Sequence, residues 1–73
     1  MTEQEKLFRF IDRNLRYAAD TICLDDRKSF YIQSFGAVQF YLELFPEDEA
    51  FLYNRWMNHY RPQFERLIRD AAT

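Results

Sequence analysis

The chain has 73 residues, 48% apolar, 19% aromatic and 30% charged, with one Gly and two Pro; this describes one domain and leaves no room for a second. Ten basic against twelve acidic side chains give a net charge of -2, which argues against a dedicated polyanion binder but says nothing about a local basic patch. A single cysteine excludes an internal disulfide, and one cysteine with one histidine cannot complete a four-ligand zinc site.

A core this small needs support, since below about 70 to 80 residues a single core rarely supplies more than about 3 to 5 kcal/mol. Eight Phe, five Tyr and one Trp bring large areas to bury, and self-association offers a second source of burial. The first six residues contain no signal-peptide apolar stretch. The longest charge-free run, Ser29 to Leu42, falls short of the ~20 residues that span a bilayer. With an unpaired Cys23 suited to a reducing compartment, the expectation is a cytoplasmic protein with no membrane segment.

Helix 1 is expected over about 2–24. Thr2 with Glu5 three residues on has the form of a capping box, and Leu7, Phe8, Ile11, Leu15, Ala18, Ala19 and Ile22 recur at helical steps on one face. Helix 2 is expected over about 26–45, opened by Asp25-Asp26 and closed before Pro46. Its apolar face is Phe30, Tyr31, Phe35, Ala37, Val38, Tyr41, Leu42 and Phe45, with Ile32 and Phe40 misfitting. A strand reading of Val38 to Leu44 competes, but Ser34-Phe35-Gly36-Ala37 lacks hairpin-turn chemistry, so the helix is preferred. Gly36 costs helix propensity, and its expected use is a close backbone approach, within the bundle or between protomers.

Helix 3 is expected over about 47–72. Pro46 and the acidic run Glu47-Asp48-Glu49 mark its start. Tyr53, Trp56, Met57, Tyr60, Phe64, Leu67, Ile68 and Ala71 hold one face across Pro62, which favours one kinked helix over a break at residues 60–62. Pro62 falls on the polar face, where the Asn58 carbonyl it leaves unpaired is expected to reach water. Short connections make consecutive helices antiparallel, so the predicted fold is an all-α three-helix bundle, with four helices as the alternative.

Chemistry is sparse. Cys23 and His59 fall in different helices, and their bland readings are a small hydrophobe near the end of helix 1 and a solvated side chain. No calcium-loop or glycine-rich phosphate-loop pattern is present, so no catalytic, cofactor or metal residue is expected. Two surfaces stand out. Lys6, Arg9, Arg13 and Arg16 form a basic stripe along helix 1, to be read as a solvated face paired with Glu5, Asp12 and Asp20 or as an anion-binding surface. Phe10, Tyr17 and Leu24 recur every seven residues beside the core face. With Phe40, and with Ile32, Phe51 and Leu52 as further misfits, they form a candidate association surface.

The expected function is therefore a non-enzymatic interaction or self-associating module, its partner itself or another protein. Anion or nucleic-acid binding through the stripe is the alternative. A helix-turn-helix reading places Glu47, Asp48 and Glu49 where phosphates are met, which argues against nucleic acid.

Overall fold

The computed structural model describes residues 1–72, and it is a three-helix bundle. Helix α1 spans Glu3–Asp20 and α2 spans Leu24–Leu44. The third, α3 (46–72), is continuous but changes pitch: a 3-10 turn Pro46–Asp48, an α segment Glu49–Arg55, a π turn Trp56–Tyr60 and an α segment Arg61–Ala72.

The starts are set locally. The Glu5 N–H donates to Thr2 Oγ1 at 3.1 Å, capping the first turn, and the Thr2 hydroxyl donates to Glu5 Oε1 at 3.3 Å. Asp25 and Asp26 occupy the first turn of α2, and Pro46 with Glu47 and Asp48 opens α3. At the α2–α3 corner Tyr41 Oη donates to Asp48 Oδ2 at 2.6 Å, fixing the angle at which the third helix leaves.

Contacts along the helices run in opposite order in consecutive pairs. Asn14 meets Ser34 and Tyr17 meets Phe30 in the first pair, while Phe35 meets Trp56 and Tyr31 meets Phe64 in the second. Both pairs are antiparallel, and α2 touches both neighbours. The core is Leu7, Ile11 and Ala18 from α1, Val38 and Tyr41 from α2, and Leu52, Trp56, Tyr60 and Phe64 from α3. Tyr31 lies nearly parallel to Trp56 and to Phe64, with centroids 5.7 and 5.4 Å apart, so much of the α2–α3 contact is ring on ring.

The ends of the helices correct three expectations. Helix α1 stops at Asp20, because Thr21 turns extended and its carbonyl is taken by Arg27 Nε at 2.8 Å. Ile22 is consequently 91% exposed in the turn, Ala19 is exposed, and Leu24 opens α2 instead of continuing α1. Cys23 is the exposed N-cap of α2, outside any core.

The face of α3 also differs from a uniform helix. Leu52, Trp56, Tyr60 and Phe64 follow strictly every fourth residue and all are buried. In a regular 3.6-residue helix such a row drifts by about 40° per step, leaving Leu52 and Phe64 about 120° apart. The π turn widens the repeat and keeps the row in line, so Leu52 enters the core while Tyr53 and Met57 are left exposed. The same turn accommodates Pro62: the Arg61 N–H reaches back five residues to the Trp56 carbonyl, and Gln63 Nε2 donates to the His59 carbonyl at 2.7 Å. The proline bends the path of the helix without breaking it.

Two buried polar features were absent from the expected core. Asn14 Nδ2 donates to Ser34 Oγ at 3.0 Å at the α1–α2 contact, and the Ser34 hydroxyl passes its own proton to the Phe30 carbonyl. Arg27 is buried, with Nη1 donating to the Leu67 carbonyl, so one guanidinium ties the end of α1 to the last turns of α3. Both join elements distant in sequence through bonds that a shifted register would break.

Candidate interaction surface

Helix α2 is apolar on nearly every side. Its inner residues fill the core, yet its outer face carries Ile32 at 70% exposure, Phe40 at 66% and Leu44 at 60%. At 100° per residue Ser29, Ile32, Gly36, Phe40 and Glu43 lie within about 40° of one line. No charged side chain interrupts that line between Ser29 and Leu42. The local hydrogen bond on it joins two uncharged side chains, with Gln33 Nε2 donating to Ser29 Oγ at 3.1 Å.

Gly36 stands at the middle of the line. Its φ is not positive, so the backbone does not require a glycine, and a Cβ placed there would meet nothing within 4 Å among the described residues. This corrects the expected close approach inside the bundle. Within the monomer, the glycine only weakens the helix.

Phe40 is a ridge between two grooves. One, between α2 and α3, is polar at its edges, with Gln39, Glu43 and Glu49 among its walls. The other, about 260 Å3 in volume, runs between α1 and α2 and is lined by Lys6, Phe10, Ala37, Phe40, Leu44 and Phe45, among others. The third helix packs on the opposite side of the α1–α2 pair through Phe8, Tyr31 and Phe35, which leaves this groove uncovered.

The structure therefore brings Phe10 and Phe40 together. Phe10 is partly buried against the core, with the Arg13 guanidinium 5.7 Å from its ring centre. Tyr17 is half exposed farther along α1, its ring 5.7 Å from that of Phe30. Leu24 lies elsewhere, in a shallow depression with Tyr31 and Ile68 between α2 and α3, and does not extend the Phe10 line. Of the other misfits, Leu52 is core, and Phe51 is about half exposed with its ring 6.3 Å from Phe8. The missed member of the surface is Leu44, while Gly36, expected at a close approach, lies on the same outer face. The signal for this face was the length of the uncharged run on a helix that has an outside.

The basic stripe is divided. Lys6 pairs with Glu3 at 3.2 Å and borders the apolar groove, whereas Arg9, Arg13 and Arg16 line a separate shallow depression with Glu5 and Asp12. The two carboxylates stand among the three guanidinium groups and offset their field at an incoming anion. Among the described residues, Arg9 and Arg16 form no salt bridge with Glu5, Asp12 or Asp20.

Two phenols are perturbed. Tyr41 is pushed up to about 12, first by donating to Asp48 and then by burial and the neighbouring carboxylates. Burial pushes Tyr60 up as well, Asp12 adds to the shift and Arg55 opposes it; among the described residues its Oη has no hydrogen-bond partner. Arg55 instead lies 5.2 Å from the Phe8 ring centre and 5.8 Å from that of Tyr60, covering the core from outside. His59 is exposed, its ring edge-on to Tyr60 at 4.8 Å and remote from Cys23 in the fold. Among the described residues no three His, Cys, Asp or Glu converge to hold a metal ion, and no helix is long and apolar enough to cross a membrane. No protein-family model, curated protein or solved structure matches the chain, so the functional reading rests on this surface alone.

Proposed function

We propose that the protein is a non-enzymatic interaction module that recognises protein through the outer face of α2 and the adjoining α1–α2 groove. The observation that carries this reading is the uncharged exposed line Ser29–Ile32–Gly36–Phe40, with Phe40 and Leu44 each more than half exposed beside Phe10. Depletion of charge together with exposed aromatic side chains is what distinguishes the centre of a binding surface from ordinary protein surface. The apolar side chains supply the burial, and Lys6 and Glu43 at the margins supply orientation.

The test is a photo-crosslinking residue placed at Gln39 in living cells, with the same probe at Glu65 on α3 as control. Gln39 adjoins Phe40 and is exposed, so the probe does not disturb the core. A discrete adduct from position 39 that is lost with Phe40→Glu, and no adduct from 65, is the expected result. Equal labelling at both positions, or none at 39, overturns the reading.

A further inference from the structure

We propose that the occupant of this face is α2 of a second copy of the chain, packed antiparallel with the two-fold axis passing beside Gly36. This deepens the interaction reading above and rests on it. Three observations converge on a second copy.

The first is Gly36 itself. A glycine in an exposed helix interior costs roughly 1 kcal/mol against alanine, and nothing within the monomer uses the space it leaves. At a crossing of two helices that space has a use: the backbones approach to the near end of the ordinary 8–10 Å interaxial range. The second is shape. Ile32 and Phe40 stand one turn to either side of the glycine, both about two-thirds exposed. A two-fold axis beside Gly36 sets Phe40 of each copy level with Ile32 of the other, so that one apolar pair lies on either side of the glycine crossing. The contact of Phe40 with Ile32 is repeated as Ile32 with Phe40, as an isologous interface requires.

The third is charge. The uncharged run is bounded by Lys28 at one end and Glu43 at the other, both exposed. Antiparallel pairing sets each Lys28 toward the partner's Glu43, whereas parallel pairing would set lysine on lysine and glutamate on glutamate. The outer side of α1 offers no comparable apolar centre, since its exposed residues from 9 to 16 are Arg9, Asp12, Arg13 and Arg16.

The experiment is light scattering over a concentration series with three chains: wild type, Gly36→Gln and Phe40→Glu. Glutamine is a good helix former and has room at position 36, so Gly36→Gln should fold and melt at a higher temperature as a monomer. Wild type should pass from 9.0 kDa to twice that mass, and Gly36→Gln and Phe40→Glu should each weaken the dimer at least tenfold with unchanged circular dichroism. Orientation is read in a Cys23→Ser background. Gly36→Cys should form a disulfide dimer on oxidation, and Ser29→Cys should not, because an antiparallel pair places its two copies about 20 Å apart along the helix.

A wild type that stays monomeric overturns the second-copy inference while leaving the interaction reading to the crosslinking at position 39, where an adduct with a different protein would then be found. A dimer unaffected by Gly36→Gln and Phe40→Glu places self-association elsewhere and likewise overturns the second-copy inference. Ready disulfide formation at both 29 and 36 excludes the antiparallel arrangement.

Discussion

The outer faces of α1 and α2 are built from different chemistry although both helices serve the same core. Along α1 the exposed side chains include Lys6, Arg9, Asp12, Arg13, Arg16 and Asp20, charges of both signs that water solvates well. Along the middle of α2, from Ser29 to Phe40, they are Ser29, Ile32, Gln33, Gly36, Gln39 and Phe40, with the exposed charges Asp25, Asp26, Lys28 and Glu43 confined to its ends. Core packing constrains neither outer face, so the contrast is not a by-product of folding. In a small bundle the inward residues specify the fold, and the departure of α2 from ordinary surface chemistry is the observation on which the proposed binding surface rests.

That contrast can be broken most severely from the inside. Phe64→Ala removes a ring with no exposure from beneath Tyr31 and Trp56, and should cost about 3–5 kcal/mol in chemical denaturation, enough to unfold most of the population. Phe40→Ala, the same chemical change on the outer face of α2, should alter monomer stability by about 0.5 kcal/mol or less. Similar losses at the two sites would mean that Phe40 supports the fold and is not a spare surface. Next in size, Arg27→Met should cost roughly 2–3 kcal/mol, since it leaves the Thr21 and Leu67 carbonyls without their charged donor. Amide exchange should then quicken first at the α1–α2 turn and the end of α3. A neutral outcome would show that the apolar stem alone suffices at that position.

A smaller effect lies at alkaline pH. A phenol whose pKa is higher in the folded than in the unfolded chain contributes stability that is fully present below the unfolded value. That contribution is lost as pH rises through the folded one. For Tyr41 the window runs from 10.0 to about 12, and Tyr60 shifts in the same direction. Stability should therefore fall across that window, and Tyr41→Phe should flatten the fall without removing the part due to Tyr60. An unchanged slope in Tyr41→Phe would show that the Asp48 bond is not maintained in solution. The smallest effect is expected on α1: Arg9→Glu with Arg13→Glu should leave fold and association within about 0.5 kcal/mol of wild type. A large loss of association there, steepening with salt in the wild type, would move the binding surface to the basic side.

Much of the bundle was legible because its signals are local. The Thr2–Glu5 capping pattern, the acidic first turns and Pro46 announced the helix starts, and the three- and four-residue spacing on α1 picked out Leu7, Ile11 and Ala18. What was misread depends on contacts between distant residues or on a change of pitch. Ile22 and Leu24 extend the apolar rhythm of α1 beyond Asp20, and the helix ends because Arg27 takes the Thr21 carbonyl. Leu52 looked out of phase because constant pitch was assumed across residues 56–60.

Asn14 and Ser34 had no place in the expected apolar faces, although their positions fit the buried rows Leu7–Ile11–Asn14–Ala18 and Arg27–Ser34–Tyr41. A reading by position before polarity would have found them. For the surface, Phe10 and Phe40 were visible as misfits, while Leu24 was misplaced with the end of α1, and of the two uses expected for Gly36 the empty space around it removes the one inside the bundle.

The most direct measurement is a dilution series followed by backbone amide chemical shifts in solution. If the outer face of α2 pairs with that of a second copy, shifts that change with concentration will cluster at Ile32, Gly36 and Phe40 and extend to Phe10, while Arg9 to Arg16 on the outer side of α1 stay constant. Shifts that do not move on dilution, or that move along the arginines of α1 and leave α2 untouched, would contradict the assignment.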